Sequence, residues 1–491
     1  MNGDKKVMQA ILDESVAFWL DKDNPTNVYV EFQDIKGAYR FEPSGSTYFL
    51  ASLGHAYRQE TGDTILPDFS ELLAIKCQDA IVEQENLVTI NHRVAGSMNG
   101  RIAYFLADGK RRTVVVTPEG WKIVSKAREK FIKHEADISQ VKPVPGGNLL
   151  ALLRPYVNLS DDNFKLLAIW LVQAFSRQSS HYALVISSEK GTGKSTLTKL
   201  LRLLIDPSHS AASLTPTNES DLKNLLANTF VACFDNTTSM SENYSNILCA
   251  AITGAKDLKR KLYTDCDQVI LNLHNIVILN GIDIVPYKSD LAERSLLFEL
   301  QKITADKRMT DRDFWGNFEA DKPAILGAIF DTLQEAMRIR LSLTIKERAR
   351  MADAYEEMIA ISLALGISED EFERIFQANR NMLEASYVLN NPFVELVFDY
   401  VNYKKRIDAP GQQVYDELFE SKGRGGRFFP DSASALSRRL KKERDILEDV
   451  GIMFSKHKRA NGNYIRLEKV PQSQMTQKQK DTAKLLASID D

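Results

Sequence analysis

Eight residues constrain this chain more than any others: Ser188-Glu189-Lys190-Gly191-Thr192-Gly193-Lys194-Ser195. They follow an apolar run, Tyr182 to Ile186, and precede a helical one, Thr196-Leu197-Thr198-Lys199-Leu200-Leu201. Strand, glycine-rich turn and helix in that order make a phosphate-binding loop. The glycines let successive backbone N–H groups converge on phosphate oxygens. The helix N-terminus adds the positive end of its dipole. Lys194 then reaches the outer phosphates, the Ser195 hydroxyl ligates magnesium, and Thr196 completes the cradle. Ser188 stands where glycine is usual, at a position that tolerates small residues. The expected cofactors are ATP and Mg²⁺.

Downstream, Thr229-Phe230-Val231-Ala232-Cys233-Phe234-Asp235-Asn236 is an apolar strand that ends in an acid. Asp235 is the expected metal-side carboxylate; the alternative is an acid that merely ends a core strand. ATPases of this kind usually place Glu next, to orient the attacking water, but here Asn236 follows. An amide holds a water yet is a poor base, so hydrolysis is slow or another group such as Glu242 assists. Ile276-Val277-Ile278-Leu279-Asn280-Gly281 is a second buried strand that delivers a polar side chain at its carboxyl end, where ligands of such sheets bind. Asn280 is the candidate γ-phosphate sensor. Arg294 stands just before a further strand, Ser295 to Leu300. It either completes a neighbouring subunit's nucleotide site or forms a surface ion pair with Glu293 or Asp290.

Short β-rich runs at 182–187, 211–214, 229–235, 275–280 and 295–300, mostly separated by helical segments, predict a parallel sheet covered on both faces. Residues 1–140 read as a small α+β domain: helical spacing from Val7 to Leu20, strands at 27–32, 100–106 and 113–116, turns at Asp108-Gly109 and Pro118-Glu119-Gly120. The stretch Val141 to Gly147, with two prolines and two glycines, predicts a boundary. The core is expected over 148–335, a helical lid or connector over 336–390, and a polar, flexible tail over 470–491.

The formal net charge is −3, so no global charge points to nucleic acid or membrane. The longest apolar run, Leu166 to Phe175, is too short to span a bilayer. Four cysteines, Cys77, Cys233, Cys249 and Cys266, form no C-x-x-C pair, so neither a zinc site nor a disulfide framework is indicated. A cytoplasmic protein is expected.

Four elements, Ser188 to Thr196, Phe234-Asp235-Asn236, Asn280-Gly281-Ile282 and Asp290 to Leu300, with Leu262-Tyr263-Thr264-Asp265 and Arg350-Met351-Ala352-Asp353, resemble the helicase-type AAA+ ATPases of phages and integrative elements. These are relatives of superfamily-three and minichromosome-maintenance helicases. The resemblance covers roughly 100–470. It implies a P-loop AAA+ core with a five-stranded sheet, a helical lid, a homo-oligomeric ring with a hexamer expected, and single-stranded or forked DNA as partner. It also implies a DNA-contacting hairpin before Asn280, where Lys256, Lys259, Arg260 and Lys261 would pair with phosphates and Tyr263 would stack on a base. The competing reading is a solvated basic face.

The span 391–469 reads as three helices and a two-stranded wing, similar to a winged helix. The hairpin signal is Asn461-Gly462, and Asp431 or Ser432 caps the third helix. Residues 421–469 carry an excess of about seven positive charges. Arg438, Arg439 and Lys442 on the third helix, with Lys456, Lys458 and Arg459 on the wing, are the expected DNA contacts; protein contacts are the alternative. The N-terminal domain reads as a collar, a partner-docking module or a DNA-contacting domain.

Overall fold

The computed structural model describes residues 2–63, 68–177, 180–189, 191–210, 212, 216, 218–237, 240–260, 268–281, 289–304, 308–344, 351–389, 391–421, 429–459, 462–471, 473–476 and 479–480. Two compact units emerge: 1–284 with 298–375, and 285–297 with 376–491.

The first unit opens with α1 (Asn2–Ser15), β1 (Val16–Asp21), β2 (Val28–Gln33), β3 (Tyr39–Pro43), α2 (Thr47–Thr61), α3 (Ser70–Glu83) and β4 (Leu87–Val88). The strands form one sheet, β3-β2-β1-β4. Helical spacing predicted a single helix from Val7 to Leu20, but the helix stops at Ser15. Val16, Phe18 and Trp19 are β-branched or aromatic, and pairing with β2 in register Val16↔Phe32 overrides the helical pattern. Met8 and Leu12 of α1 still pack into the common core with Val30, Phe32, Phe49 and Tyr57. A second sheet, β6-β7-β8-β9, follows. Its strands are β6 (Val94–Ser97), β7 (Arg101–Phe105), β8 (Thr113–Thr117) and β9 (Gly120–Val124), and the short pair β5 (Ile90–Asn91) and β10 (Lys130–Phe131) flanks it in sequence.

The expected boundary at 141–147 is laid against a helix. Val144 N–H donates to the Pro323 carbonyl at 2.9 Å, and Gly146 N–H to Asp331 Oδ2 at 2.7 Å. Trp121 Nε1 donates to the other oxygen of Asp331, also at 2.7 Å. Gly327 permits this approach: a Cβ there would lie 1.6 Å from the Val144 carbonyl oxygen.

Between 148 and 340 the chain forms α4 (Leu149–Leu153), α5 (Asp161–Gln173), β11 (Ala183–Ser187), α6 (Lys194–Ile205), α7 (Glu219–Ala227), β12 (Val231–Phe234), α8 (Glu242–Thr253), β13 (Ala255–Arg260), β14 (Gln268–Leu273), β15 (Ile276–Gly281), α9 (Ser289–Ala292), β16 (Ser295–Glu299) and α10 (Asp311–Arg340). Four strands are described, in the order β12-β15-β11-β16, with β15 parallel to both β11 and β12. The expected fifth strand, 211–214, falls almost wholly outside the described residues. Ala183 to Ile186 and Ile276 to Leu279 are fully buried, as strands covered on both faces must be. Two helices follow, α11 (Ala352–Ala364) and α12 (Glu369–Leu389). Arg374 grips Asp162 of α5 with two hydrogen bonds, 2.7 and 2.9 Å.

The second unit contains α13 (Pro392–Lys404), β17 (Arg406–Pro410), α14 (Gly411–Ser421), α15 (Ala433–Lys442), α16 (Arg444–Asp449), β18 (Ile452–Arg459) and β19 (Gly462–Lys469). Its sheet runs β17-β19-β18, all antiparallel. Ser432 caps α15 by accepting from Ala435 N–H. Two features were not anticipated: the third helix is interrupted at Glu443, and β17 adds a strand to the wing sheet. The described part of the expected tail packs back on this unit. Met475 is buried, Val470 N–H donates to the Gly451 carbonyl at 2.8 Å, and Gln479 Nε2 donates to the Glu448 carbonyl at 2.7 Å.

Candidate functional site

At the carboxyl end of β11 the chain turns through Gly191 (φ 79°) and Gly193 (φ 94°) into α6. Both conformations are left-handed, so side chains there would be strained. Lys194 begins the helix and folds its ammonium back on the loop. It donates to the Ser188 carbonyl and to the Glu189 carbonyl, the latter at 2.7 Å. Burial lowers its pKa, opposed by the nearby Asp235 charge. The Thr192 hydroxyl donates to the Glu189 carbonyl at 3.0 Å and is hydrogen-bonded to the Ser188 hydroxyl. The small residue in place of the usual glycine thus helps hold the loop. Thr196 lines the cleft beside it. Lys190 lies outside the described residues.

Asp235 follows β12, the strand two places from β11 in the sheet. The Ser195 hydroxyl donates to Asp235 Oδ2 at 3.3 Å across that gap. A hydroxyl and a carboxylate of this kind are hard oxygen donors suited to Mg²⁺ accompanying phosphate. Among the described residues no group of three or more His, Cys, Asp or Glu side chains could hold a metal ion. Asn236 has φ 53°, and its N–H donates to Asp235 Oδ1 at 2.8 Å. Asparagine enters this region more readily than most residues, which accounts physically for an amide at this turn. Asn280 is the last residue but one of β15, 1 % exposed, and its amide donates to the Thr198 hydroxyl of α6 at 3.2 Å.

A cleft of about 690 Å³ opens beside the loop. Its walls are the loop itself, the segment 154–159 before α5, and Leu300, Gln301, Ile303, Arg308 and Met309 with Asp311 and Phe314 of α10. Gln301 N–H donates to the Asn158 carbonyl at 3.1 Å, and the Asn158 amide returns a bond to the Gln301 carbonyl. Tyr156 donates to Asp321 at 2.6 Å and packs edge-on against Phe314 and Phe318. Val157, Leu159, Ile303 and Phe314 give one wall of the cleft an apolar share. Sequence reasoning missed this wall, because Val157, Asn158, Leu159 and Ile303 belong to no motif.

The basic hairpin β13–β14 is engaged on two sides. Lys256 pairs with Asp23, in the turn between β1 and β2, and Asn272 Nδ2 donates to the same carboxylate at 3.2 Å. Lys259 donates to Asn224 of α7 at 2.7 Å, and Lys223 of α7 pairs with Asp257 at 2.9 Å. Arg260 ends β13; Lys261 and Tyr263 lie outside the described residues. In the second unit, Arg294 donates to the Asp290 carbonyl at 2.8 Å and pairs with its carboxylate.

On α15, Arg438 and Lys442 are exposed, whereas Arg439 pairs with the buried Glu443 at 3.0 Å and lies over the Phe393 ring. On the wing, Lys456 and Lys458 are exposed. Arg459 pairs with Asp408 at 2.8 Å, an acid that also holds Arg466 at 2.8 Å and His457 at 3.2 Å. Lys422, Arg424 and Arg427, which contribute to the positive excess of 421–469, lie outside the described residues. Among the described residues no helix is long and apolar enough to cross a membrane.

Residues 150–372 match the family model described as actinomycete integrative conjugative element replication protein, a little under half of the chain. The matched span contains the loop 188–195, Asp235, Asn280 and Arg294. Two apo A-form structures of the NrS-1 C-terminal region align over 95 % of this chain and 99 % of theirs. Their identities are 12 and 13 %, with TM-scores of 0.38 and 0.41, too low to establish a shared fold. No curated protein matches the chain.

Proposed function

We propose that this chain is a DNA-dependent ATPase of helicase or translocase type, serving replication of a phage or integrative element. The match over 150–372 supports a mobile-element replication protein. The observation that carries the ATPase reading is the approach of Ser195 to Asp235, 3.3 Å, beside a loop whose lysine already seeks oxygen acceptors. In this reading the loop N–H groups and Lys194 hold the phosphates. Ser195 and Asp235 would hold Mg²⁺, which would supply charge neutralisation at the phosphate oxygens. Asn280 orders the far side of the site through Thr198. ATP lies between subunits of a ring, and Arg294 of one subunit serves its neighbour after leaving Asp290. The hairpin and the second unit's Arg438, Lys442, Lys456 and Lys458 are the DNA contacts of the scheme.

The test is turnover with and without single-stranded DNA, together with strand separation on forked DNA. DNA-stimulated turnover that separates strands supports the motor. The left-handed Asn236, which puts an amide in place of a carboxylate, favours a second reading: a nucleotide-gated DNA-binding or assembly factor that hydrolyses little. Tight ATP binding with negligible turnover supports that switch. An ATPase of anti-phage defence is a third assignment that the same residues would serve.

A further inference from the structure

The sensor position at the end of β15 is already committed. Asn280 is buried and gives its amide to Thr198. Two residues past Asp235 stands a group that is not committed. Thr237 N–H donates to the Asn280 carbonyl at 3.0 Å, which ties the chain after β12 to the end of β15. Thr237 is only 4 % exposed, and its hydroxyl is buried with no hydrogen-bond partner. A threonine hydroxyl donates once and accepts twice, and leaving it unused in a buried place is costly. Such a group persists where packing alone demands the threonine shape or where a ligand supplies the partner. Its place decides between these. It lies at the carboxyl ends of the central strands, where ligands of such sheets bind, two residues from the acid that meets Ser195.

We propose that the Thr237 hydroxyl is a contact of the nucleotide site that reads the terminal phosphate of a bound triphosphate, directly or through one water. This rests on the nucleotide reading above and extends it to discrimination between triphosphate and diphosphate. Thr237→Val keeps the shape and removes the hydroxyl; Thr237→Ser keeps the hydroxyl. The full chain and both variants are titrated calorimetrically with Mg²⁺ and either ADP or the non-hydrolysed triphosphate adenylyl imidodiphosphate. Their melting midpoints without nucleotide are measured in parallel.

The proposal expects Thr237→Val to melt at or above the wild-type midpoint, since an unsatisfied group is gone. It expects the preference for triphosphate over diphosphate to fall about tenfold and Thr237→Ser to retain it. An unchanged preference in Thr237→Val overturns the proposal. So does a lower midpoint with both nucleotides weakened alike, which marks a packing residue. A wild-type chain that binds both nucleotides equally removes the proposal and leaves nucleotide binding standing. One that binds neither removes the nucleotide reading itself.

Discussion

Asn24 and Ile270, 246 residues apart, are joined by two hydrogen bonds: Ile270 N–H donates to Asn24 Oδ1 at 2.9 Å, and Asn24 Nδ2 donates to the Ile270 carbonyl at 3.1 Å. One side chain thus satisfies both backbone groups of a residue in β14. With Asp23 holding Lys256 and Asn272 beside it, the β1–β2 turn clasps the basic hairpin. Asn24→Ala leaves two backbone groups without their partner. It is expected to speed amide exchange at Ile270 while lowering overall stability by only about 1 kcal/mol. Unchanged exchange at Ile270 with general loosening elsewhere would show that the clasp does not hold the hairpin.

Arg438 and Arg439 are neighbours in sequence with opposite surroundings. Arg438→Ala, or Lys442→Ala, is expected to weaken DNA binding and flatten its salt dependence by about one unit of slope each, leaving the melting midpoint in place. Arg439→Ala strips the partner from buried Glu443 and is expected to destabilise the second unit by about 2 kcal/mol. Binding isotherms at several salt concentrations, beside thermal melts, separate the two.

The left-handed backbone at 236 limits what can stand there. Asn236→Asp or Asn236→Gly is expected to fold within about 0.5 kcal/mol of wild type, and Asn236→Ile to lose about 1–2 kcal/mol. If the amide is what slows hydrolysis, Asn236→Asp raises turnover. Equal denaturant midpoints for all three variants would contradict the strain argument.

His92 Nδ1 and His134 Nε2 lie 2.7 Å apart, so one ring donates and the other accepts. Burial depresses the His92 pKa to about 3, with the Arg177 and His134 charges acting in the same direction. The unfolded chain takes up this proton near pH 6.5 and the folded one does not. Stability is therefore present above about 6.5 and falls as pH drops from there toward 3, by about 1.4 kcal/mol per pH unit at most from this group. His92→Gln is expected to flatten that part of the curve, as read from denaturant midpoints across pH 3–7. A variant with the wild-type slope would contradict it.

What could be read in advance follows from the range of the interaction. That 188–195 and Asp235 follow strands, and that Asn280 stands near the close of one, was legible because each comes after a short apolar run, and a strand's end is a local property. The paired walls at 158 and 301, and the clasp of Asn24 on Ile270, were not. Each joins residues more than 140 positions apart with no periodic pattern between them. The change from helix to strand at Val16 was misread for a related reason: its cause is pairing with β2, which a helical count along α1 cannot detect. Arg439 looked like its neighbours because charge is visible in a sequence and a buried partner one turn away is not.

The most direct measurement is the rise in melting midpoint that Mg²⁺-ATP produces in the full chain and in Lys194→Ala. Ligand that binds only the folded state stabilises it by an amount set by its concentration relative to Kd. Loss of one charge-assisted contact to phosphate should weaken binding by about tenfold or more. The account predicts a clear rise for wild type, little or none for Lys194→Ala at the same nucleotide concentration, and the same midpoint for both without nucleotide. Equal rises in the two proteins, or none in wild type at millimolar ATP, would contradict it.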